Sequence, residues 1–140
     1  MKKLLLITVF TLAGCATSAV NPDLARVAPK DRVFTSDAKS ENTGSVTVIR
    51  DSGMVGGGCF ATVFIDGERA AKLDPSEKTT FNVKEGEHIL GASLEGRGLC
   101  SSGAARQERE FNINSGDNKY YRIFTDQNGN MDIKPTTLSR

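Results

Sequence analysis

At 140 residues the chain suffices for one domain with a real but modest core, not for several. Its 18 basic and 17 acidic side chains balance, so it lacks the clustered basic excess that nucleic acid demands. Tryptophan is absent and aromatics are few, which argues against a stacking platform for bases or a broad sugar-binding face.

Lys2 and Lys3 precede Leu4 to Leu12, an apolar run broken only by Thr8 and Thr11. A positive stretch followed by a short apolar one is the layout of a secretory signal. A bilayer-spanning helix needs roughly 20 apolar residues, so this run is too short to be a stable span. It ends in Leu12-Ala13-Gly14-Cys15, which resembles the lipobox of bacterial lipoproteins, where the cysteine sulfur is acylated and the chain is cut just before it. The resemblance implies a leader over residues 1–14 and a mature chain of 140 − 14 = 126 residues starting at a lipidated Cys15. Losing Lys2 and Lys3 leaves 18 − 2 = 16 basic groups against 17 acidic ones. Several acyl chains hold a protein far better than one, since each buried CH₂ adds roughly 0.8 kcal/mol. In Gram-negative lipoproteins an aspartate directly after the lipidated cysteine signals inner-membrane retention. Here that position is Ala16, so the implied location is the periplasmic face of the outer membrane, with lipid as anchor. An ordinary secretory signal with a chance cysteine is the alternative.

With Cys15 assigned to lipid, Cys59 and Cys100 form an even pair in an oxidising compartment, and a disulfide is the default expectation. Two separate thiols are the alternative. A metal site fails on ligand count, because His88 is the only histidine and no further thiols exist. No cofactor is implied.

Residues 15–44 read as a flexible tether: Pro22, Pro29, scattered charges and a polar run from Ser36 to Gly44, with no sustained periodicity. A brief helical turn at Pro22 to Arg26, capped by Asn21, is compatible with that reading. As coil, the segment would span roughly 30 Å.

From Ser45 the punctuation changes. Ser45 to Arg50 is β-branched and short, the composition of a strand. After a Gly-rich loop, Cys59 to Ile65 is apolar on both faces and so central in its sheet. Asp66-Gly67 predicts a type I′ hairpin into Glu68–Leu73, and Asp74-Pro75-Ser76 turns the chain again. Lys78 to Lys84 alternates with Phe81 and Val83 inward, Glu85-Gly86 turns it, and Glu87 to Glu95 points Leu90, Ala92 and Leu94 to one side. Arg106 to Ile113, a turn at Asn114 to Asp117, Lys119 to Thr125, and an Asn128-Gly129 turn into a strand with Met131 and Ile133 complete the series. About eight short strands without a long helix predict an all-β fold, a small antiparallel sandwich or barrel over residues 45–135 with a tail at 136–140.

The residues Val63-Phe64-Ile65-Asp66-Gly67-Glu68, then Leu73 and Pro75, then Val83-Lys84-Glu85-Gly86-Glu87-His88, are similar to PEGA-type β-domains. The departure is Glu85, where that family usually has proline. The segment from Val46 to Phe124 also resembles an uncharacterised domain-of-unknown-function family of small bacterial lipoproteins, opening at Arg50-Asp51-Ser52-Gly53 and carrying Tyr120-Tyr121-Arg122 near its end. These motifs are mostly turn chemistry; they imply a fold and transfer no catalytic residue.

Candidate chemistry is sparse. His88 follows Glu85 and Glu87, but no motif marks a nucleophile or an orienting partner; after a turn, a histidine more commonly bonds the turn backbone. Asp126, Asn128, Asn130 and Asp132 alternate like a calcium loop, yet the sixth and twelfth positions are Met131 and Thr137, so an Asn-Gly hairpin explains them. The loop Gly53 to Gly58 lacks the Lys-Ser/Thr of a phosphate loop.

A bonded Cys59–Cys100 pair would gather the 53–58 and 96–103 loops at one end of the domain, presenting Met54, Val55, Arg97 and Leu99 as a surface for a protein or glycan. The plainer reading makes both loops long connections in which glycine relieves strain near the disulfide. The expectation is a non-enzymatic lipoprotein that binds an envelope protein or supports envelope integrity. The rival is a periplasmic lysozyme or other hydrolase inhibitor: Ser101-Ser102-Gly103-Ala104-Ala105-Arg106 is similar to the Ser-Gly-Ala loop of small inhibitory lipoproteins, without the tyrosine that follows it there.

Overall fold

The computed structural model describes residues 16–35, 40–54, 56–101 and 105–138. The leader, Cys15, Val55, the Leu99 side chain and most of the 101–104 stretch lie outside what it describes.

The alternating segments fold as β2 (Thr43–Arg50), β3 (Phe60–Ile65), β4 (Glu68–Leu73), β5 (Glu77–Lys84), β6 (Gly86–Glu95), β7 (Gln107–Ile113), β8 (Asn118–Thr125) and β9 (Met131–Pro135), preceded by a two-residue strand, β1 (Arg26–Val27). A five-stranded sheet in the order β1-β5-β2-β8-β9 faces a four-stranded sheet in the order β4-β3-β6-β7. Neither sheet closes on itself, so the fold is a β-sandwich rather than a barrel.

Period-2 patterning places one face of each strand in the core. Val46, Val48, Phe81, Val83, Ile123 and Ile133 from one sheet meet Ala61, Val63, Leu73, Leu90, Ala92 and Ile113 from the other. β3, apolar on both faces, sits between β4 and β6, as its composition predicts. Its outward Phe64 is still only 4 % exposed, because the Arg106 guanidinium lies 4.0 Å above the ring and Arg69 flanks it at 5.7 Å.

The hairpin between β3 and β4 turns at Asp66 and Gly67, with φ of +52° and +84°, the left-handed pair that a type I′ turn requires. The β8–β9 connection is a hairpin too, whereas other short connections are corners. Asp74 to Ser76 and Glu85 each carry the chain from one sheet to the other. The chain twice visits the other sheet after β2, returning first as β5, antiparallel to β2, and then as β8, parallel to it. β1 also pairs parallel, with β5. The expected antiparallel arrangement therefore holds for five of the seven pairings among the described residues.

The tether expectation needs correcting. Residues 16–35 are docked along the sandwich. Thr17 N–H donates to the Thr125 carbonyl at 3.0 Å, and Ser18 and Ser52 exchange backbone bonds of 2.8 and 3.0 Å. The Pro22 turn forms with Asn21 Oδ1 accepting from the Asp23 N–H. Arg26 and Ala28 then donate to the carbonyls of Ser76 and Lys78 on the edge of one sheet, and Phe34 donates to Ala70 on the edge of the other. The segment is a strap across both sheets. Its anchors are mainly backbone groups satisfying edge strands, so no side-chain periodicity announces them.

Arg32 locks the strap. Its guanidinium donates twice to Glu77, at 2.9 and 2.8 Å, and also reaches the Lys72 carbonyl. Burial pushes the Glu77 carboxyl up, but hydrogen bonds from Arg32 and the Asp74 N–H, with the charges of Arg32 and Arg26, outweigh it and hold the group below the usual carboxylate range. On the opposite flank Arg109 grips both oxygens of Asp132 at 2.7 Å, joining β7 to β9.

Removing Arg32 leaves a carboxylate with 5 % side-chain exposure without its cation. Arg32→Ala should lower unfolding stability by about 2 kcal/mol in urea titration, less than for a wholly buried pair because Arg32 keeps some water contact. A group whose folded value is depressed stabilises above its unfolded value and stops doing so as pH falls through the folded one. The difference between wild type and Arg32→Ala should therefore shrink on acidification through the carboxylate range.

Candidate functional site

β2 ends in two adjacent charges, Arg50 and Asp51, which are only 5 % and 1 % exposed. Arg50 Nη1 donates to the carbonyls of Cys59 and Leu73 at 2.6 and 2.7 Å, and Nη2 to that of Gly56 at 2.7 Å. One guanidinium thus ties the Gly-rich loop after β2 to the start of β3 and the end of β4. Burial pushes Arg50 down to about 10, against the opposing pull of Asp74 and Glu77, so it stays charged at neutral pH. Asp51 accepts from Arg122 Nε at 3.0 Å and from Arg122 Nη2, with the Thr17 hydroxyl donating at 3.4 Å.

The Cys59–Cys100 disulfide completes this end, with Sγ–Sγ 2.07 Å and Cα–Cα 5.4 Å. It links the loop before β3 to the 3-10 turn Gly98–Ser101 after β6. Gly96 makes room for it: a Cβ there would stand 2.7 Å from Cys100 Cβ. Of the expected surface residues, Met54 is 97 % exposed and Arg97 is exposed, on the two loops that the disulfide joins. Val55 and the Leu99 side chain lie outside the described residues, as does most of the Ser101 to Ala104 stretch that prompted the inhibitor reading.

Thr17, Arg50, Asp51 and Arg122 are absent from the sequence-based candidates. Their signals are the pair of opposite charges at the end of a β-branched run, which reads by default as a solvated strand end, and the Arg50-Asp51 and Tyr121-Arg122 motif residues, which imply a fold and not a site.

The far end of the sandwich holds His88. Its Nδ1 lies 2.6 Å from Asp66 Oδ2 and its Nε2 2.9 Å from the Lys84 carbonyl, so a proton on either nitrogen finds an acceptor. Asp66 also accepts from the Ile89 N–H at 2.9 Å. Burial pushes the Asp66 carboxyl up, while those two donors and the neighbouring imidazole prevail and lower it. An open cleft of about 510 Å³ runs past His88, lined also by Asp66, Glu87, Ile89 and Glu110. None of its described lining residues carries a hydroxyl or thiol. The ring fastens the β3–β4 hairpin to the corner before β6, in keeping with the turn-bonding role expected of it. Asp126, in the last hairpin, accepts from the N–H groups of Asn128 and Asn130, so this carboxylate serves its own turn.

Arg50→Met would leave three carbonyls without their shared donor. We expect a loss of about 3 kcal/mol and, with the disulfide intact, faster proteolytic cutting within residues 53–58. Urea titration and timed digestion under non-reducing conditions measure both. Unchanged digestion would mean the disulfide alone holds the loop.

No protein-family model matches the chain, and no curated protein matches it.

Proposed function

We propose that the chain is an exported lipoprotein, held through Cys15 at the periplasmic face of the outer membrane, whose β-sandwich acts by binding and not by catalysis. Its work is on an envelope protein or in support of envelope integrity. The observation that carries this reading is the Cys59–Cys100 disulfide, which suits an oxidising compartment and leaves Cys15 as the remaining cysteine, directly after an export-type leader. The polar chemistry of the described residues supports the non-catalytic part. Arg50, Asp51 and Arg122 bond one another's strands and loops, and His88 and Asp66 bond a hairpin, which is the work of a scaffold. The resemblance to small lipoproteins with a PEGA-like domain points the same way, on the turn residues quoted for it.

Acyl labelling followed by membrane fractionation tests the reading. Wild type should take up label and sediment with outer membrane. Cys15→Ser should lose the label and appear in the soluble periplasmic extract. Unlabelled, soluble wild-type protein would overturn the anchor.

A further inference from the structure

A lipid at Cys15 would have almost no tether behind it. Thr17 is fixed to Thr125 through its N–H at 3.0 Å and its hydroxyl at 3.2 Å, and Ser18 is fixed to Ser52. Only Ala16 separates Thr17 from Cys15, and the two steps of chain, fully extended, reach at most roughly 7 Å. Whatever surface holds the acyl chains must therefore lie against the part of the domain that surrounds Thr17.

That part is the disulfide end. Gly53 touches Thr17 so closely that a Cβ there would stand 3.1 Å from Thr17 Cα. The next residue is Met54, 97 % exposed, an unbranched and adaptable apolar side chain. Leu24, 81 % exposed, lies on the strap just before Arg26, whose guanidinium reaches the Pro75 carbonyl in the corner between β4 and β5. Exposed Arg26 and Arg97 share this end, on its strap and loops, with apolar Leu24 and Met54, the combination that suits phosphate headgroups above acyl chains. Of the acids here, Asp51 pairs with Arg122, Asp74 and Glu77 with Arg32, Glu95 with Arg69, and Asp126 accepts from its own turn, while Asp23 is exposed. The opposite end carries Glu41, Asp66, Glu85, Glu87 and Asp117 against Lys84 and Lys119, an acidic excess that anionic headgroups repel.

We propose that the disulfide end rests on the phospholipid surface with Met54 entering the acyl region, so that the carboxylate-rich end carrying the His88 cleft is what the anchored protein presents to other molecules. This deepens the reading of Cys15 as the anchor, and rests on it. It also turns the surface expected to bind a protein or glycan towards lipid.

The chain has no tryptophan, so Met54→Trp and, at the far end, Glu87→Trp each supply a unique fluorophore. Chains beginning at Cys15, with the disulfide formed, would be coupled through the Cys15 thiol to a maleimide phospholipid. They would then be placed in vesicles of phosphatidylethanolamine and phosphatidylglycerol with brominated acyl chains. The Met54→Trp variant should shift to the blue and lose most of its emission, and the Glu87→Trp variant should do neither. A flexible Gly-Ser insertion between Ala16 and Thr17 should restore the emission of the Met54→Trp variant. Equal quenching of the two variants, or none of either, sinks the proposal. The intact mass of protein made with its leader reports separately whether Cys15 is acylated in the cell, so failure of the anchor is not mistaken for failure of the apposition.

Discussion

The guanidinium of Arg50 is the contact on which one whole end of the molecule depends. It belongs to the five-stranded sheet, yet its three hydrogen bonds end on carbonyls of the Gly-rich loop, the approach to β3 and the end of β4. Desolvating a cation is costly, and only good geometry with several charge-assisted bonds offsets it. Arginine meets that demand because its planar fork addresses several acceptors at once, whereas lysine offers a single point of charge. Asp51 next to it repeats the arrangement with the opposite sign, collecting Arg122 from β8 and Thr17 from the strap. The disulfide joins the same Gly-rich loop region to the turn after β6.

The flanks of the sandwich are held differently. Open sheets leave unpaired backbone groups along their edges, a standing invitation to other strands. On one flank the strap supplies partners to both sheets, and Arg32 with Glu77 fixes it there. On the other, Arg109 and Asp132 link β7 to β9, and Glu108, Arg109 and Glu110 place exposed charge along the β7 edge. These charges serve position and protection.

Much of this was legible beforehand. Turn residues such as Asp66-Gly67 and alternating runs such as Lys78 to Lys84 act locally, so strand positions follow from them to within a residue or two. The disulfide followed from counting cysteines. Partnership between strands did not follow, because nothing in Thr43–Arg50 says that it lies antiparallel to β5 on one side and parallel to β8 on the other. The strap is illegible in the sequence for a related reason: Arg26, Ala28 and Phe34 dock through backbone N–H groups, which carry no side-chain signal. Arg50 was overlooked because a charge at the end of a strand is ordinarily solvated, and its burial arises only once loops from both sides fold over it.

The bond between Thr17 and Thr125 spans 108 positions of sequence. It cannot exist until nearly the whole domain has been made and delivered, and the same holds in lesser degree for the strap's pairing with β4 and β5. A chain that crosses a membrane from its N-terminal side therefore emerges with residues 16–35 undocked while the strands follow. Any enzyme that works on the chain near Cys15 meets an open segment during that interval, and a docked one afterwards. The topology sets an order: any reaction that needs residues 16–35 undocked has to precede the closing of the sandwich.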